Sequence, residues 1–106
     1  MNKILIVEDD EGIRTTLKEI LTEREFLVET AEDGIAALNT IKKSPPDLLL
    51  LDLGLPKVSG ESICKEVHKM YPNLPIIIVT AKNNSQDVVN GLTIGAIDYI
   101  RKPFDI

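Results

Sequence analysis

The stretch Asp47-Leu48-Leu49-Leu50-Leu51-Asp52-Leu53-Gly54-Leu55-Pro56 decides the fold. Four consecutive leucines read as a strand buried on both faces, the pattern of a central strand in a parallel sheet, and Gly54 and Pro56 force the chain to leave it. In open α/β sheets the ligand crevice lies outside the carboxyl ends of the strands, so Asp52 stands where chemistry would be done. Taken alone, a strand-terminal acid is a weak signal, and an aspartate that merely faces water explains it equally well.

Working outward, apolar β-type runs recur at Lys3-Val7, Leu27-Thr30, Leu48-Leu51, Ile76-Thr80 and Tyr99-Ile100, with helical patterns between them. This alternation predicts βαβ units around a parallel sheet. Ile13, Leu17, Ile20 and Leu21 make the apolar stripe of a first helix, with Arg14, Lys18, Glu19 and Glu23 turned largely away from it. Ile35, Leu38 and Ile41 mark a second, which stops before Ser44-Pro45-Pro46. Ile63, Val67 and Met70 mark a third before Pro72, and a fourth begins near Ser85, carries Val88, Val89 and Leu92, and ends at Gly95.

A chain of 106 residues is one domain, residues 1–106, with a real core and no room for a second. Its 43% hydrophobic and 27% charged residues, with a mean hydropathy of +0.04, are ordinary for a soluble globular protein. A net charge of -5 argues against nucleic-acid binding by this segment, since phosphate affinity needs clustered Lys and Arg. The single cysteine, Cys64, excludes an internal disulfide and fits a reducing compartment; it reads as a small packed thiol. No stretch resembles a signal peptide or a membrane span, so a cytoplasmic location is expected. His68 stands among charged neighbours and reads as a solvated side chain without a role.

The first strand ends in Glu8-Asp9-Asp10, which brings a second set of carboxylates to the carboxyl edge of the sheet. If the first and third strands are neighbours, as right-handed crossovers allow, Glu8, Asp9 and Asp52 share one pocket. Acids that close repel one another unless a cation sits between them. Magnesium suits the site, because it accepts a few carboxylates, keeps several waters and leaves room for phosphate oxygens. Alternatively the acids at 8–10 only complement the dipole of the first helix, a role that suffices for Asp10. Two residues weigh against that reading for the others: Thr80 gives a hydroxyl at the end of strand four and Lys102 an ammonium after strand five. One magnesium ion and Lys102 would balance the charges of Glu8, Asp9 and Asp52.

The ordered set Val7-Glu8-Asp9-Asp10, Leu51-Asp52, Leu55-Pro56-Lys57-Val58-Ser59-Gly60, Val79-Thr80-Ala81 and Gly95 through Phe104 resembles the receiver domain of bacterial two-component response regulators. The likeness covers the whole chain. It implies a flavodoxin-like, doubly wound α/β fold with five parallel strands in the order 2-1-3-4-5. It implies a phosphorylation-dependent signalling switch, not an enzyme, in which Asp52 accepts a phosphoryl group from a sensor histidine kinase. By the same resemblance Asp9 would ligate Mg2+ together with Asp52, Glu8 would hold a metal-bound water, and the Gly54 backbone carbonyl would complete the protein ligands. Lys102, Thr80 and the Ala81 backbone N–H would bind phosphoryl oxygens. Thr80 and Tyr99 would form the switch that alters the surface of the fourth helix and fifth strand, and the Lys102-Pro103 bond would be cis. The context around Leu55-Pro56-Lys57 and Asp98-Tyr99-Ile100 resembles receivers fused to winged-helix domains, so DNA contact would come only through a separate output domain regulating transcription.

The family's final helix should follow Phe104-Asp105, so the sequence is expected to lack it. That loss would leave apolar sheet surface uncovered, so the domain is expected either to be less stable than a complete one or to cover the surface as a homodimer or exchanged dimer. Gly54 stands where the family usually carries a side chain near the phosphoryl group, and Lys82 flanks the site. A Mg-dependent aspartyl phosphatase of the haloacid dehalogenase type needs a second Asp two residues after the nucleophile, where this sequence has Gly54. A flavin-binding module needs hydroxyl and glycine donors in the first loop, where Glu8-Asp9-Asp10-Glu11 would repel a phosphate. A phosphorylation-silent interaction module is disfavoured by the presence of Glu8, Asp9, Asp52, Thr80 and Lys102.

Overall fold

The computed structural model describes residues 2–52, 59–80 and 98–101. Its elements run β1 (Lys3–Val7), α1 (Glu11–Glu23), β2 (Leu27–Ala31), α2 (Gly34–Lys43), β3 (Leu48–Asp52), α3 (Gly60–Met70), β4 (Ile76–Thr80) and β5 (Asp98–Arg101). The strands form one parallel sheet in the order β2-β1-β3-β4-β5. The leucine run is therefore the middle strand, as its two-sided apolarity requires.

Alternation along β3 divides the core into two layers. Leu49 and Leu51 are completely buried and pack with Leu5, Val7, Ala37, Ile41, Ile63 and Val67, on the face covered by α2 and α3. Leu50 joins Ile4, Ile6, Leu17 and Val79 on the opposite face, where α1 lies. Local chemistry sets where the helices begin. Asp10, Asp33 and Ser59 are the N-caps of α1, α2 and α3, and each side chain accepts a bond from the backbone N–H three residues on.

α1 ends in a Schellman turn: Phe26 N donates to Leu21 O at 3.2 Å and Glu25 N to Thr22 O at 3.0 Å. Its left-handed residue is Glu25, with φ 70°, where glycine is the usual occupant. At the amino end of the sheet Lys3 ties three segments together. Its ammonium meets Glu29 Oε1 of β2 at 2.7 Å and Ser44 O at 3.0 Å, while its backbone N–H donates to Asp47 Oδ2 at 2.8 Å.

Two apolar positions differ from the expected stripes. Ile35 is 50% exposed, because Gly34, Ala37 and Ile41 form the buried side of α2, and Ile35 lies well round the helix from them. Met70, the last residue of α3, is exposed at the mouth of a groove it shares with Pro45, Pro46, Tyr71 and Pro72. β2, β3 and β5 extend slightly beyond the expected runs. The fourth helix expected from Ser85 to Gly95, and the question of the final helix, lie outside the described residues.

Candidate functional site

Strand register builds the site. Val7 of β1 pairs with Leu51 of β3, so the next residue on each strand, Glu8 and Asp52, falls at the same level of the carboxyl edge. Asp9 follows as the chain turns toward α1. One carboxylate oxygen from each of Glu8, Asp9 and Asp52 lies within 4.8 Å of the other two. Glu8 is 2% exposed and Asp52 6%, whereas Asp9 is open to solvent. Two acids are thus held in a low-dielectric wall and a third closes the solvent side.

Buried carboxylates packed this closely repel, and a hard cation is what relieves them. The three side chains could hold a metal ion: all donors are oxygens, the set a hard divalent ion prefers. Asp10 stands apart from the trio as the N-cap of α1, its Oδ1 accepting from Ile13 N at 2.9 Å, a more specific role than the dipole complement expected of it. Its backbone N–H lies 3.3 Å from Glu8 Oε2, which ties the first acid to the turn. Glu8 N continues the ladder toward β2 by donating to Ala31 O at 3.0 Å.

Thr80 is the last residue of β4, one beyond the pair Asp52 and Val79, so its backbone reaches the same edge. Tyr99 lies on β5 opposite Ile78 of β4. Gly54, Ala81, Lys82, Lys102 and Pro103, and the Lys102-Pro103 peptide bond, lie outside the described residues. Cys64 is buried in the α3 layer and His68 is exposed in the last turn of α3.

Arg14 was not singled out by its position in the sequence, where it belongs to the charged side of the first helix. In the structure it is half-buried, and its Nη1 donates to Glu8 O at 2.9 Å and toward Asp9 O at 3.4 Å. The available signal was a cation near the helix N-terminus, where the macrodipole disfavours it.

A family model described as the response regulator receiver domain matches residues 4–106. The chain is similar to the transcriptional regulatory protein CreB of Escherichia coli strain K12, with 41% identity over 101 residues that cover 95% of this chain and 44% of that protein. It is also similar to response regulator MprA of Mycobacterium avium, 38% identical over 102 residues covering 96% and 45%. It spans less than half the length of these relatives. Among solved structures, a CheY-like receiver domain protein from Methanospirillum hungatei superposes with a TM-score of 0.95 at 33% identity, covering 99% of this chain and 84% of that one. The non-phosphorylated HemR receiver domain from Leptospira biflexa gives 0.92 at 37% identity, covering 99% and 85%. Among the described residues no helix is long and apolar enough to cross a membrane.

Proposed function

The chain belongs to the response regulator receiver family, and from that membership we propose that it is a phosphorylation-dependent switch in which Asp52 accepts a phosphoryl group from the phosphohistidine of a sensor kinase. The observation that carries this reading is the meeting of Asp52 with Glu8 and Asp9 at the carboxyl edge, two of them buried. In the transfer one Asp52 carboxylate oxygen forms a bond to phosphorus as the phosphorus–nitrogen bond of the kinase breaks, and the departing imidazole keeps the electron pair. Such a reaction needs positioning and charge neutralisation more than covalent help.

Asp9 and Asp52 would hold Mg2+ directly, Glu8 would hold a water of the ion, and the Gly54 carbonyl would supply the remaining protein ligand. When bound, the ion supplies the positive charge that lets a carboxylate meet a phosphoryl group. Burial of Glu8 and Asp52 keeps these donors fixed and excludes bulk water from one side of the reacting oxygen. Lys102, Thr80 and the Ala81 N–H would take the phosphoryl oxygens. Thr80 moving toward them and Tyr99 following would carry the change to the surface beside β4 and β5.

We infer that the domain signals in the cytoplasm, and that the intact protein regulates transcription, the role for which the CreB relative is named, with any DNA contact made by a separate output domain. Incubation with acetyl phosphate and Mg2+ tests the central step. Wild type should gain one phosphoryl group by intact-mass spectrometry and Asp52→Asn none; equal labelling of the two would remove Asp52 from its role.

A further inference from the structure

Arg14 is the fourth residue of α1, which begins at Glu11. Two features make its position costly: a cation so near a helix N-terminus opposes the macrodipole, and half-burial removes part of its hydration. The side chain runs back toward the start of the helix, as helical side chains do, and its guanidinium reaches the carbonyls of Glu8 and Asp9. These two peptide groups carry two of the three acids of the metal site.

We propose that Arg14 is a positioning residue for the metal centre, a clamp on the β1–α1 turn that fixes the directions in which Glu8 and Asp9 present their carboxylates. The proposal rests on the metal-binding reading above. Glu8 has a strand ladder to hold it, through its N–H to Ala31 O. Asp9 is exposed and lies between the end of β1 and the cap residue Asp10, so the guanidinium is its tie from the helix side. Both bonds come from Nη1, and a lysine ammonium at this position would end one bond short of that nitrogen, away from the two carbonyls. Partners that orient metal ligands typically contribute 10- to 100-fold in affinity.

The test is titration of the protein with Mg2+ alone, followed by calorimetry and by the amide resonances of Asp9 and Asp10, for wild type, Arg14→Lys and Arg14→Met. Both variants should bind Mg2+ roughly tenfold more weakly, the lysine no better than the methionine, with amide shifts confined to the turn. If Arg14 acted only through its charge, Arg14→Met would bind more tightly and Arg14→Lys would match wild type. If it were only a stability element, both variants would melt earlier with an unchanged Mg2+ affinity. Either result overturns the clamp. Wild type failing to bind Mg2+ would instead overturn the metal-binding reading and the clamp with it.

Discussion

Asp9→Asn should make the protein more stable without Mg2+ and less stable with it. At an effective dielectric near 20, two unit charges 4.8 Å apart, the limit separating the carboxylate oxygens of Glu8, Asp9 and Asp52, repel by about 3.5 kcal/mol. Asp9 is exposed, so solvent and a Debye length of about 8 Å at physiological ionic strength reduce the relief to roughly 0.5–1.5 kcal/mol. For a domain of this size that is a rise of about 2–7 °C in Tm. The helix cap is Asp10, so the substitution leaves α1 intact. With Mg2+ at a hundredfold excess over its Kd, wild type should gain about 2.7 kcal/mol and the variant much less. Thermal and urea unfolding of both proteins, in chelator and in Mg2+, measure all four values. A variant less stable than wild type in chelator would refute the repulsion, and an equal Mg2+ gain in both proteins would refute the ligand assignment.

The two core layers make a contrast available on the same chain. Leu49→Ala, at a completely buried position, should cost about 2–5 kcal/mol by urea unfolding, whereas Ile35→Ala should stay within about 0.5 kcal/mol. A large loss at Ile35 would mean that α2 buries a different side. Glu25→Gly should raise stability by about 0.5 kcal/mol, because relief of a left-handed residue, about 1–2 kcal/mol, exceeds the extra freedom glycine brings to the unfolded chain; a lower denaturation midpoint would argue against the Schellman turn.

The middle of the sheet was legible because burial on both faces leaves four leucines only one place to go. Right-handed crossovers allow β1 and β3 to be neighbours but do not impose it; the order 2-1-3-4-5 came from the resemblance to receivers, and the meeting of Glu8, Asp9 and Asp52 follows from that order. Periodicity failed at Ile35 for a definable reason: small residues, Gly34 and Ala37, bring α2 close to the sheet, and a hydropathy pattern gives them little weight. Arg14 escaped notice because a pattern sorts residues by the face from which they start, while a long side chain acts where its end arrives. Glu25 escaped because a Schellman turn without glycine has no compositional mark.

The pairing of Val7 with Leu51 has a consequence for assembly of the sheet. A slip of one residue between β1 and β3 would offset Glu8 from Asp52 by about 3.3 Å along the strands and turn the two side chains to opposite faces. The interior would barely object on the β3 side, since one leucine would replace another. With Mg2+ present the acids would, because the ion could no longer bridge them. A cation bound by the three acids would thus act as a vernier on strand alignment: among the misregistered sheets that a run of identical leucines tolerates, it would reward the one that lines up.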